Sequence, residues 1–242
     1  MTKLIFVALL LLALIIGGGV GLKTIVTSKS QNRGATEDEA AKKDTLQWHA
    51  DEAKKEGKSA VIIPAPIVEY VGGANDPEYV LSNYSVVIAR PVQSKAVVVN
   101  DDEAIVTWYK FKKQESIQER PAIPNIPQPT INPPQELLPV NEDEFLIITY
   151  GGAVNVKGVS ITMANSQMPS FNNGKSYLLF ISYTPSGIAH LRGGPTGIFD
   201  VSADGSIEPT AEVNNQDKVS LKSGFGDTVA SLKERLAKVN KK

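Results

Sequence analysis

The chain contains no cysteine. That excludes disulfides, thiolate nucleophiles and cysteine-ligated zinc. An exported protein of this composition has to hold its fold by packing alone. Histidine is almost as scarce, with only His49 and His190, so the H-E-x-x-H zinc motif cannot be written. No charge of one sign dominates: 25 Lys and Arg stand against 26 Asp and Glu, a formal net charge of -1. There is no basic excess to draw nucleic acid and no acidic tail. The G-x-S-x-G elbow of hydrolases and the G-x-x-x-x-G-K-[ST] phosphate loop are also missing. These absences lead us to expect no enzyme, no cofactor, no metal site and no nucleic-acid partner.

What is present begins with an address. Leu4 to Ile16 is unbroken apolar sequence, and no charge occurs between Leu4 and Leu22. About 20 apolar residues span a bilayer. A secretory signal peptide has a charged start, an apolar core and a small-residue cleavage site. Lys3 supplies the start, but Gly17, Gly18 and Gly19 replace the usual A-x-A. Residues 1–22 therefore read as a signal peptide or a single-pass signal-anchor, the anchor being favoured. Either reading places the rest of the chain outside the cytoplasm, secreted, periplasmic or membrane-anchored.

Residues 23–58 read as a polar linker and a helical stalk. Thr36 and Glu39 have capping-box spacing, and Gly57 is a natural stop. Leu46 and Trp48 are the stalk's few large apolar residues, and His49 lies among charges. From Ser59 the period becomes two. Strands are expected at 60–71, 85–92, 104–113, 144–163, 176–183, 188–192 and 197–201. Pro64 and Pro66 confine the first to an edge. Residues 119–140 hold seven prolines and read as a long, partly polyproline-II loop, with a docking peptide as the alternative. Residues 227–242 read as a carboxy-terminal helix capped by Asp227, with Val229, Leu232, Leu236 and Val239 as its apolar stripe. Short strands with turn signals between them and no alternating helices predict a mainly β domain over 59–226, a small antiparallel barrel or sandwich.

Two places attract attention as binding candidates. On one face of the 104–113 strand, Trp108 and Lys110 place an aromatic beside a cation, a pairing that stacks on and charge-pairs with ligands. The competing reading buries Trp108 under a neighbouring loop while the lysines reach for water. His190 and Arg192 share a face of a short strand beside Gly193-Gly194, where a pocket would suit an anion. An ordinary exposed strand face is the alternative there.

The order GGAVNVKGVSITM, FNNGKSYLLFISY, GGPTGIFDVSADG, from Tyr150 to Gly205, resembles uncharacterised exported bacterial β-domain proteins. Its layout is similar to OB-like, netrin-module-type barrels. The resemblance implies a fold more than a function, because its motifs are turn glycines and core apolars. Netrin modules are usually disulfide-bonded and this chain has no cysteine, so an inhibitor role does not carry over. The function expected is that of a non-enzymatic, extracytoplasmic β-barrel module. It is expected to be either membrane-anchored through an amino-terminal transmembrane helix or secreted, with an envelope protein as its expected partner. The alternatives are a carboxylate and His190 hydrolase, and a carrier of apolar ligands in the barrel interior.

Overall fold

The computed structural model describes residues 45–66, 77–100, 102–124, 129–210 and 212–241. All of them fall within one compact unit that begins at Asn32. The signal or anchor segment 1–22 and the linker that follows it lie outside the described residues. Among those described, no helix is long and apolar enough to cross a membrane.

The unit is mainly β and is built from two sheets. The smaller holds β1 (Ala60–Pro64), β5 (Gly152–Val156) and β6 (Val159–Ala164) in the order β1-β6-β5. β5 and β6 form the hairpin expected around Gly158. β1 pairs with β6 in parallel, from Ala60 opposite Ser160 to Pro64 opposite Ala164. An all-antiparallel fold was expected, and this pair departs from it. β1 is an edge strand, the position in which Pro64 removes no ladder bond.

The larger sheet runs β10-β9-β7-β2-β3-β4, with β8 also paired to β7. Its elements are β2 (Ser85–Val99), β3 (Ala104–Gln118), β4 (Glu144–Tyr150), β7 (Ser176–Tyr183), β8 (Ala189–Leu191), β9 (Ile198–Val201) and β10 (Ile207–Pro209). β2 and β3 are longer than the periodicity predicts, because mutual pairing holds their polar outer halves extended. β7 is central and buried on both faces from Tyr177 to Ser182, as its continuous apolar run requires.

The expected barrel is not closed. β4 approaches the start of β8 through one parallel bridge, Leu146 to Ile188, and no ladder follows because β8 has only three residues. The concave side of the sheet is instead filled with rings. Phe111 stacks on Phe145 at 5.5 Å, and Phe171 meets Tyr109, Phe111 and Tyr177 edge-on at 5.0–5.1 Å. A fully buried side chain of this size contributes about 1.5–3 kcal/mol.

Among the described residues, three helices cover the opposite face of the large sheet, and one packs on the small sheet. α1 (Leu46–Lys55) is capped by Thr45, whose hydroxyl accepts from the Trp48 amide at 3.2 Å. Thr36, the expected capping-box residue, lies outside the described residues. Leu46, Ala50 and Ala53 recur at helical spacing and bury α1 against Ile63, Ile161 and Met163 of the small sheet. Two further helices had no sequence expectation: α2 (Pro77–Asn83) and α3 (Asn215–Phe225). With α4 (Val229–Val239) they pack on Phe180, Phe199 and Ile207. The stripe of α4 behaves as expected, with Leu232 and Leu236 buried and Val229 and Val239 at the margin. Its cap is Thr228 rather than Asp227: Thr228 and Ser231 bond reciprocally in a capping box. Thr228 and Asp227 are both cap-forming residues, and the position of the first helical turn decides between them.

Candidate functional site

The Pro-rich segment decides the fate of Trp108 and Lys110. It crosses the outer face of β3 and is held at several points. The Ile123 amide donates to the Tyr183 carbonyl at 2.9 Å. A single 3-10 turn, Gln135–Leu137, drives Leu137 into a cluster with Trp108, Leu146 and Ile188. Gln93 Nε2 donates to the Glu136 carbonyl at 3.1 Å, and Lys95 pairs with the Glu136 carboxylate at 3.2 Å. Trp108 is completely buried beneath this strap, its Nε1 without an acceptor. Lys110 is buried too. Its ammonium donates to the Pro139 carbonyl at 2.8 Å and lies 3.5 Å from Glu144 Oε2. Both side chains are thus occupied within the fold, and neither offers a face to solvent.

His190 and Arg192 come together on the helix-covered side of the large sheet. β8 is registered so that His190 stands opposite Ser182 of β7, and the Arg192 amide continues the ladder by donating to the Phe180 carbonyl at 2.8 Å. His190, Arg192, Ser182 and Phe180 therefore share one face, by the alternation of a pleated strand. Arg192 reaches back across β7. Its Nε donates to Ser182 Oγ at 3.0 Å, and its guanidinium lies over the Tyr84 ring at 5.5 Å. His190 is half-buried, and its Nε2 has no hydrogen-bond partner. Burial holds its pKa below the ordinary imidazole value, and the Arg192 charge adds to the effect. Burial raises the Tyr84 phenol, helped by Tyr79 and opposed by Arg192.

Gly197 makes this geometry possible. A Cβ there would collide with the Arg192 carbonyl oxygen, so glycine lets the 3-10 turn Gly194–Gly197 fold back onto the end of β8. Beyond Tyr84, Arg120 is committed to the fold. Its Nη2 donates to the Leu81 carbonyl at the end of α2 and to Asn240 Oδ1. That placement answers the negative end of α2.

A cleft of about 230 Å³ lies where β4 passes into β5. Tyr109, Gly151, Gly152, Asn165 and Met168 are among its walls. Gly151 and Gly152 both have positive φ, 99° and 132°. A Cβ on Gly152 would run into the Thr107 hydroxyl, which itself donates to the Gly151 carbonyl at 2.6 Å. Asn165 Nδ2 donates to the Tyr150 carbonyl at 3.0 Å and fixes the opposite wall. Burial raises the pKa of Tyr109.

Sequence reasoning missed Ser182, Tyr84 and the cleft. Their only signals are strand alternation and a Gly-Gly pair, and long-range register is needed to use either. Among the described residues, no group of three or more His, Asp or Glu stands together to hold a metal ion. Two of the three carboxylates at 142–144 face lysines: Asp143 pairs with Lys112 at 3.2 Å, and Glu144 with Lys110. No family model and no curated protein matches this sequence.

Proposed function

We propose that this protein is an extracytoplasmic, membrane-anchored β module that works by binding an envelope partner and not by catalysis. The observation that carries the reading is the uncharged run Leu4 to Leu22, followed by polar sequence and a cysteine-free body. Such a run delivers or holds a domain at a membrane.

The Pro-rich strap supports the partner side of the proposal. It is fastened at Ile123, Glu136 and Pro139, yet Ile123 and Leu138 leave 38% and 47% of their area exposed. Apolar side chains beside such fastened points lose little entropy on contact with a partner.

Alkaline extraction of native membranes tests the anchor. The full-length chain stays in the pellet, and a chain lacking residues 1–22 is released. Protease added outside sealed cells digests the β body. Crosslinking on the same membranes, read by mass spectrometry, tests the strap. One reproducible envelope partner is captured, and Ile123→Ser with Leu138→Ser abolishes the capture without unfolding the chain. A freely soluble full-length monomer sinks the reading.

A further inference from the structure

We propose that Arg192 and His190 form a carboxylate-binding site on the helix-covered face of the large sheet. This goes beyond the anchored-module reading and stands on different residues.

Lysines and arginines divide the protein's charge contacts unequally. Every ion pair among the described residues is made by a lysine. The arginines behave otherwise. Arg120 and Arg235 spend terminal nitrogens on backbone carbonyls, at Leu81 and Gly224. Arg90 is exposed. Arg192 combines partial burial with a fixed orientation, and its terminal nitrogens have no acceptor among the described residues. A chain with 26 acidic residues has placed none of the described ones against it.

Arg192 is held in place before any ligand arrives. Its Nε donates to Ser182 Oγ, and its guanidinium carbon lies over the Tyr84 ring. The terminal nitrogens make no hydrogen bond among the described residues and remain as a fork. Such a fork matches the two oxygens of a carboxylate. Holding it still in advance removes part of the ordering cost of binding.

His190 stands beside Arg192 on the same strand face. Its Nε2 is closed to solvent and has no partner, a cost in free energy that a ligand atom relieves once the imidazole turns outward. Burial and Arg192 keep the imidazole neutral near pH 7, so it adds a hydrogen bond and no charge. One guanidinium beside a neutral imidazole balances a single negative charge. A carboxylate carries that charge, whereas a phosphate dianion brings more than the site neutralises.

The experiment is a side-chain NMR titration of the full-length, ¹⁵N-labelled chain in detergent, read at Arg192 Nε–Hε and the His190 ring. The probes are sodium acetate, acetyl-trialanine as the free acid, acetyl-trialanine amide, and inorganic phosphate, all at constant ionic strength. The expected result is saturable shifts at both residues with acetate and the free acid, and none with the amide. Saturation by both acids assigns the site to a bare carboxylate; saturation by the peptide acid alone assigns it to a peptide carboxy terminus. Arg192→Gln weakens binding about tenfold or more, the loss of a charge-assisted hydrogen bond. If Arg192→Gln does not fold, Arg192→Lys keeps the charge, removes the fork and weakens binding to a similar extent. Equal shifts with the amide, saturation by phosphate but not by carboxylates, or unchanged affinity in the Arg192 variants overturns the proposal.

Discussion

The Lys110 ammonium and the Pro139 carbonyl oxygen meet at 2.8 Å across a sequence separation of 29 residues. This bond ties the outer face of β3 to the end of the Pro-rich strap. It turns a segment without sheet or long helix into part of the folded body.

Lys110→Met keeps the volume of the stem and removes the donor. Pro139 and Glu144 then lose a buried partner, at a cost of about 1–3 kcal/mol. Urea denaturation of the variant measures the loss. In a Trp48→Phe background, Trp108 reports it as a red shift in emission, because its cover loosens.

Leu137→Ala acts on the same strap from below. Leu137 is fully buried against Trp108, and truncating such a residue costs about 2–5 kcal/mol. Limited proteolysis then cuts faster within 129–140 than elsewhere. Cleavage at the wild-type rate shows that the Trp108 cluster does not hold the strap.

Gly152→Ala and Gly158→Ala separate strain from collision. Both positions have positive φ, where an alanine costs about 1–2 kcal/mol. Only Gly152 also meets the Thr107 hydroxyl, whereas Gly158 faces open space. The Gly152 variant therefore loses clearly more stability by thermal melt, and Thr107→Ala recovers part of the difference.

His190 makes stability depend on pH in a known direction. Its folded pKa lies below the unfolded value near 6.5, through burial first and the Arg192 charge second. The unfolded chain binds the proton more readily, so this contribution is fully present above about pH 6.5. It is lost as pH falls through that value toward the folded pKa. Denaturation curves at pH 7.5 and 5.5 show a smaller drop in His190→Gln than in the wild type.

Much of the fold was legible in the chain. The SYLLFISY run predicts a strand covered on both sides, and β7 is that strand. The Val229 to Val239 stripe predicts its own helix face. α2 and α3 were illegible for a physical reason. α2 is seven residues long, and α3 carries Gly224 and few apolar residues. Packing holds both: Val80, Leu81, Leu221 and Phe225 enter the core beneath them, and Gly224 lets Pro77 approach α3 closely. Trp108 and Lys110 looked like a binding face because the alternation of β3 leaves them opposite Tyr109 and Phe111. Nothing local shows that a Pro-rich segment more than 20 residues later folds over them.

The sequence by itself determined the apolar run Leu4 to Ile16, the absence of cysteine chemistry, the mainly β body and the rows of residues along each strand. Those are local properties of composition and period. Tertiary structure alone decided that the sheet stays open beside β8, that the strap is stapled down, and that Arg192 lies on Tyr84 within reach of Ser182. Those outcomes depend on strand register and on which distant segment covers which face. A one-residue slip in register would turn His190 and Arg192 to the other side of the sheet.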